Sequence, residues 1–103
     1  QGYLRLGNYL LAKGDAKGGR RYRAAAFTIA GALLDEPYLS TDPKHQGLVL
    51  HSIYHRPNDW DHVPRGSRIP YGESSMWGDY HAMELVHLIR REAKHEPYPV
   101  FFR

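Results

Sequence analysis

Hydrophobic residues near the start of the chain recur every three or four positions, which is the spacing of one helix face. The residues that follow this spacing are Tyr3, Leu4, Leu6, Leu10 and Leu11. The tripeptide Lys-Gly-Asp at residues 13–15 is typical of a helix stop. The pattern therefore predicts a first helix that ends before Lys13.

A second hydrophobic stretch follows a polar turn at residues 14–19 and ends at Pro37, which cannot extend a helix. Its apolar residues fall on two faces of the predicted helix. One face carries Tyr22, Ala25, Ala26, Ile29 and Leu33, and the other carries Phe27, Ala30 and Leu34. A helix that is apolar on both sides is normally buried between other elements. A chain of 103 residues offers few such elements, so we expect part of this helix to stay uncovered and the chain to self-associate.

The second half of the chain predicts an extended segment, a loop and a third helix. Residues 47–57 are rich in β-branched and aromatic side chains, and residues 58–72 carry Gly, Pro and mixed charge. The last helix has Trp77, His81 and Leu88 beside its apolar stripe. The stripe consists of Gly78, Ala82, Leu85, Val86 and Ile89. The predicted fold class is mainly all-α, with a helix hairpin, a short extended segment and a final helix.

The stretch GESSMWGDYH, Gly72–His81, stands where this last helix is predicted to begin. Ser74 or Ser75 can act as the N-cap, because a serine hydroxyl accepts hydrogen bonds from the free backbone N–H groups. Asp79 falls in the early turns, where negative charge is favoured. We therefore predict a capping or structural role for Asp79 and not acid–base catalysis.

Composition and charge narrow the classes of function. With 42% hydrophobic residues the chain is expected to fold. Its 14 Lys and Arg against 11 Asp and Glu are spread along the sequence, so we expect no nucleic-acid partner. The longest apolar run is only a few residues, so no membrane span is expected. Because Cys is absent, disulfides and thiolate metal sites are excluded.

Seven His residues raise the question of a metal site. His51 and His55 would share one face of a strand, and Asp59, Asp61 and His62 follow closely, so a cluster could form. Their spacing fits no specific metal motif, and HExxH is absent. We therefore predict no metal ion and hydrogen-bonded His side chains. A serine nucleophile is not indicated either, because the chain lacks a GxSxG motif.

Two short motifs follow one another in the chain. The first is GLVLH at residues 47–51 with Tyr54 three places on, and the second is ESSMWGDY at residues 73–80, followed by Glu84 and Leu85. In this order they resemble the GLLLHG-Y and DES-IWGDYF-EAL segments of the unsaturated glucuronyl hydrolases of glycoside hydrolase family 88. The preceding helix pair is similar to the late hairpins of that family's (α/α)6 barrel.

The resemblance implies that residues 1–103 form a single partial domain, the C-terminal portion of an (α/α)6 barrel. It implies an enzyme that removes 4,5-unsaturated uronic acid from oligosaccharides made by polysaccharide lyases. The reaction begins by hydration of the vinyl ether double bond, with a carboxyl group as general acid and base and no cofactor or metal. The family's catalytic aspartates lie upstream of the WGDY segment. No catalytic residue is therefore expected in this chain, which alone would be inactive. The family resemblance points to the bacterial cytoplasm or periplasm.

The residues that the resemblance assigns to substrate binding lie in both motifs. They are His51, Tyr54, Glu73, Ser74, Ser75 and Trp77. The sequence departs from the family at His81, where an aromatic residue is usual, and in its long basic loop. Arginines in that loop could bind a carboxylate or sulfate group through paired hydrogen bonds, and we assign this role to Arg68.

Other classes of function stay open at the level of sequence. A His-rich binding module would fold in dependence on a divalent metal, and a basic nucleic-acid module would lose affinity steeply with salt. Among helical sugar enzymes, an unsaturated rhamnogalacturonyl hydrolase or a sugar epimerase is the alternative. The two ordered motifs favour the glucuronyl hydrolase.

Overall fold

The computed structural model describes residues 1–52, 63, 65–68 and 74–97. The chain forms two compact units, Gln1–Asp35 and the part from Glu36 onward. Three α-helices are present in the described residues: α1 (Gly2–Ala12), α2 (Ala16–Leu33) and α3 (Met76–Ala93). Extended pairing within these residues is limited to one isolated antiparallel bridge. The predicted mainly all-α fold class is confirmed.

Helix α1 matches the first predicted helix and its stop. Its buried face runs through Leu4 and Gly7, whereas Tyr3 and Leu6 of the predicted stripe remain exposed. The chain leaves the helix through Gly14, whose φ of 87° lies in the left-handed region that glycine adopts without steric cost. The stop signal in the sequence therefore acts through backbone conformation.

Helix α2 begins at Ala16, so the prediction of a polar turn through residue 19 was wrong at its end. The physical reason is the N-cap Asp15, whose Oδ1 accepts a hydrogen bond from the Gly18 N–H at 2.8 Å. This bond satisfies one of the N–H groups that a helix start leaves unpaired. The segment that ends α1 thus also starts α2. At its other end α2 stops at Leu33, ahead of Pro37.

Helices α1 and α2 pack as an antiparallel hairpin, which confirms the predicted helix pair. The contact is close because two glycines lie at its centre. A Cβ atom on Gly7 would come within 2.6 Å of Arg23 Cγ and 2.9 Å of the Gly19 carbonyl oxygen. Further along, the Tyr3 and Tyr22 rings lie 5.7 Å apart at 50°. Such a tilted ring pair adds a directional contact to the buried area.

Helix α2 buries one face only. Ala26 and Ala30 are buried, but Ile29 on the first predicted face is 55% exposed and Phe27 on the second is 42% exposed. The Arg23 guanidinium lies over the Phe27 ring, 5.5 Å from its centroid, and covers part of it. The helix is incompletely covered, as expected, and self-association of the chain stays a prediction.

Helix α3 begins at the predicted N-cap. Ser75 has an extended backbone, and its Oγ accepts a hydrogen bond from the Gly78 N–H at 3.2 Å. The buried face comprises Ala82, Leu85 and Leu88, which recur three residues apart. Placing Val86 in the stripe and Leu88 beside it was therefore wrong, since Val86 is exposed.

The hairpin predicts opposite effects for two Gly→Ala substitutions in helices. Gly7→Ala should lower the free energy of unfolding by about 1–2 kcal/mol, because the new methyl group meets the backbone of α2. Gly31→Ala should raise the free energy of unfolding by about 0.5–1 kcal/mol, because nothing lies within 4 Å and alanine favours the helix. Urea unfolding followed by circular dichroism measures both. Equal effects of the two substitutions would contradict the close packing at Gly7.

Candidate functional site

The predicted extended segment pairs with residues just after the hairpin. Leu39 and Val49 form an antiparallel bridge. On either side, the Ser40 N–H donates to the Leu48 carbonyl at 2.8 Å and the Leu50 N–H donates to the Tyr38 carbonyl at 2.7 Å. The pairing is confined to residues 48–50 around a single bridge, so no regular strand forms, and residues 53–57 lie outside the described part of the chain.

The carboxylate of Asp79 holds this segment against the start of α3. Its Oδ1 accepts a hydrogen bond from the Val49 N–H at 2.8 Å, and its Oδ2 accepts one from the Leu48 N–H at 3.0 Å. Hydrogen bonds to an ionised acceptor are stronger than neutral ones. The predicted structural role of Asp79 is confirmed, but its partners belong to a segment 30 residues away and not to its own helix.

Small residues let the two segments approach closely on both sides of Asp79. A Cβ atom on Gly47 would collide with the Cβ and Oγ atoms of Ser74, and one on Gly78 would come within 2.9 Å of Ser52 Oγ. The Ser74 Oγ is buried and has no hydrogen-bond partner within the part of the chain that the structure describes. The GLVLH and ESSMWGDY motifs are therefore neighbours in space.

An open cavity of about 320 Å³ lies beside the paired segments, within the second unit. Its lining combines carboxylates, hydroxyls, an imidazole and apolar side chains. The lining residues are Glu36, Pro37, Leu39, Ser40, Thr41, Asp42, Leu50 and His51. His51 is the one predicted substrate-binding residue among these described lining residues. The volume falls within the range of small-molecule sites.

His51 enters the cavity lining with an unusual backbone. Its φ is 59°, in the left-handed region that few residues other than glycine adopt. Tyr38 packs edge-on against the imidazole, with ring centroids 6.1 Å apart and planes at 87°. Such a conformation persists where the surrounding structure imposes it, and this occurs often at binding sites.

Part of the cavity wall carries hydrogen bonds between residues that are close in the sequence. Thr41 Oγ1 donates to Glu36 Oε1 at 3.2 Å, and the Lys44 N–H donates to Asp42 Oδ1 at 2.9 Å. This second bond closes a turn of the kind that Asp commonly makes with its own backbone. Each of the two carboxylates thus accepts a hydrogen bond from a residue close to it in the sequence.

A second polar pair supports the same wall. His45 Nδ1 lies 2.9 Å from Ser40 Oγ, and the His45 N–H donates to the Asp42 carbonyl at 3.0 Å. His45 is thus tied at both its ring and its backbone. Ser40 is one of the cavity residues, so this pair links the cavity to the turn behind it.

Four other predicted site residues belong to the described part of the chain and are not among the described residues that line the cavity. Ser74 and Ser75 contact the first motif or cap α3, Trp77 is 45% exposed on α3, and Arg68 is exposed. Several residues singled out from the sequence lie outside the described residues. They are Tyr54, His55, Asp59, Asp61, His62 and Glu73.

His81, where the family usually has an aromatic residue, forms a surface cluster on α3. Its Nδ1 lies 2.9 Å from Glu84 Oε2, and the Tyr80 hydroxyl donates to Glu84 Oε1 at 3.3 Å. The Tyr80 and His81 rings stand edge to face with centroids 5.2 Å apart. These contacts join side chains one to four residues apart on one helix.

The described residues contain neither a metal-binding cluster nor a membrane-spanning helix. No group of three or more His, Cys, Asp or Glu side chains there could hold a metal ion. None of the helices described is both long enough and apolar enough to span a membrane.

No protein-family model matches the chain, and no curated protein or solved structure is similar enough to count as a match. The likeness of the two motifs to family 88 therefore stays a prediction.

Sequence reasoning missed the carboxylates of the cavity. Glu36 falls at the predicted end of the second helix, and no role was predicted for Asp42. The sequence gives little indication of their position, because residues 38–40 are too few to show the alternation of polar and apolar side chains that is typical of a strand. Only their pairing with residues 48–50 brings the carboxylates next to His51.

The close approach of Gly47 to Ser74 predicts a result for a pair of substitutions. Gly47→Ala should lower the free energy of unfolding of the second unit by about 1–3 kcal/mol, because the added methyl group has no space. Adding Ser74→Gly should restore part of that loss, since it removes the atoms that the methyl group meets. A double-mutant cycle from urea unfolding measures the coupling. Additive effects would show that the two residues do not touch.

Proposed function

We propose that this chain is part of a glycoside hydrolase that removes 4,5-unsaturated uronic acid from oligosaccharides produced by polysaccharide lyases. The observation that carries the proposal is the contact between the two motifs on which the family resemblance rests. Asp79 of the second motif binds the Leu48 and Val49 N–H groups of the first. Two motifs that contact each other in the structure support the resemblance more strongly than two similar sequence segments without a contact would.

The position of His51 supports a role of this unit in substrate binding. His51 ends the first motif and lines a cavity of a size suited to one sugar ring. Hydroxyl and carboxylate groups on the cavity wall can pair with sugar hydroxyls, while Pro37 and Leu50 can cover the apolar face of a ring.

The proposal places the general acid and base outside these 103 residues. Asp79 is the acidic residue of the second motif, but both of its oxygens already accept backbone hydrogen bonds. Proton transfer to a substrate would require the carboxylate to leave those partners and expose them. Within this chain, the proposed function is therefore substrate binding and support of the pocket wall.

The proposal predicts a difference between the chain and the complete product of its reading frame. The 103-residue chain should leave an unsaturated glucuronyl disaccharide intact, because the proposal assigns the general acid and base of hydration to residues outside it. The complete product should hydrolyse it. The assay follows loss of the ultraviolet absorbance of the conjugated uronate, with the saturated disaccharide as the control.

The substrate panel also separates the related enzyme classes. Turnover of an unsaturated rhamnogalacturonan disaccharide alone would replace the glucuronyl assignment by the rhamnogalacturonyl one. Activity of the 103-residue chain would contradict the placement of the acid and base, and inactivity of the complete product on every unsaturated disaccharide would contradict the proposal itself.

A further inference from the structure

The positive charge of the chain is concentrated in its first unit. Gln1–Asp35 carries six Lys and Arg residues against two Asp and no Glu, a net charge of +4, whereas the rest of the chain carries eight against nine. The basic residues that are spread along the sequence are thus divided unevenly between the two units, and the helix hairpin is the cationic one.

Four of these cations lie around the turn that joins α1 to α2. Lys13 follows the end of α1, and Lys17, Arg20 and Arg21 lie in the first two turns of α2. All four side chains are exposed to solvent. The one carboxylate between them in the sequence, that of Asp15, is the N-cap of α2. We call the four cations the basic cluster.

The members of the basic cluster on α2 repel one another. Arg20 and Arg21 follow Lys17 at i+3 and i+4, which places each of them about 5–6 Å from it at Cβ. Within the described residues, none of these three side chains makes a hydrogen bond or an ion pair. Like charges at this spacing destabilise a helix, and cations near its N-terminus add to that cost. The first turn of α2 holds no acidic residue that would offset it, so a bound anion would stabilise this end of the hairpin.

An exposed aromatic ring borders the basic cluster. The Tyr9 ring is 58% exposed, and Lys13 Nζ lies 5.7 Å from its centroid. An aromatic ring can cover the apolar face of a sugar, and guanidinium groups bind carboxylates and sulfates through paired hydrogen bonds. This combination suits a short sugar chain with acidic groups. A nucleic acid fits less well, because the rest of the chain adds no net positive charge for a longer phosphate backbone.

We propose that the basic cluster and Tyr9 form a surface that binds an acidic oligosaccharide. Carboxylate or sulfate groups of the oligosaccharide pair with Lys17, Arg20 and Arg21, while one of its sugar rings covers Tyr9. The identity of the ligand rests on the proposed function, since the products of polysaccharide lyases are acidic oligosaccharides. The surface belongs to the first unit and shares no residue with the cavity of the second.

Three ligands titrated into the ¹⁵N-labelled 103-residue chain test this surface. An unsaturated chondroitin sulfate tetrasaccharide carries carboxylates and sulfates, maltotetraose is neutral and of equal length, and an oligothymidylate matches the tetrasaccharide in charge. The tetrasaccharide should shift the amides of residues 13–21 saturably at roughly millimolar concentration or below, and its affinity should fall as salt is added. Maltotetraose should give no saturable shift, and the oligothymidylate should bind more weakly than the tetrasaccharide.

Two double variants that remove equal charge identify the binding groups. Arg20→Gln with Arg21→Gln should weaken tetrasaccharide binding by about fivefold or more, because two surface pairs are lost. Arg90→Gln with Lys94→Gln removes two exposed cations at the end of α3 and should leave binding nearly unchanged. The first variant should unfold at an unchanged or higher urea concentration, since it removes cations from the start of a helix. This measurement separates loss of binding from loss of folding.

The outcomes separate the surface from the proposed hydrolase function. An equal loss of binding in both double variants, no saturable shift at residues 13–21, or tighter binding of the oligothymidylate would overturn the oligosaccharide surface. Hydrolysis by the complete product without binding at the hairpin would contradict the surface alone. Binding at the hairpin together with a complete product that is inactive on every unsaturated disaccharide would support the surface and contradict the hydrolase proposal.

Discussion

The second unit of this protein depends on one carboxylate. Asp79 stands in the first turn of α3 and accepts hydrogen bonds from two successive backbone N–H groups, those of Leu48 and Val49. Fixing residues 48 and 49 also fixes their antiparallel partners at residues 38–40, and the pair of segments forms the cavity beside His51. Because those amides sit in a segment too short for a regular strand, the helix replaces the hydrogen-bond partners that a wider sheet would supply.

Close packing makes this arrangement specific to the residues present. Gly47 and Gly78 lie where side chains would collide with Ser74 or approach Ser52, so the glycines of the two motifs have a steric explanation. The hydrogen bonds of Asp79 set the direction of the segment, and the small residues set its distance from α3. His51 follows two residues after Val49 with a left-handed backbone, and its ring is held by Tyr38. The geometry of the candidate site thus follows from common types of contact, namely hydrogen bonds, close packing at glycine and an aromatic ring pair.

The sequence predicts those features that depend on neighbouring residues. The three helices and the Ser75 cap could be predicted because helix periodicity and capping act over a few positions. The start of α2 was predicted too late in the chain. Asp15 belongs to the segment that ends α1, and it also acts as the N-cap of α2. The contact of Asp79 with Leu48 and Val49 could not be predicted, since nothing in the spacing of residues 30 apart reports a hydrogen bond. The carboxylates of Glu36 and Asp42 became part of a site only through that long-range pairing.

Amide hydrogen exchange of Leu48 and Val49, compared between Asp79→Asn and the unmodified chain, shows whether the Asp79 carboxylate holds the segment in place. An asparagine side chain offers one oxygen acceptor and turns an NH₂ donor toward the other amide, so one bond is lost and a donor faces a donor. We expect exchange at Leu48 and Val49 to become about tenfold faster or more, while amides within α1 and α2 keep their rates. Unchanged exchange at both residues would show that Asp79 does not hold the segment and would contradict the account.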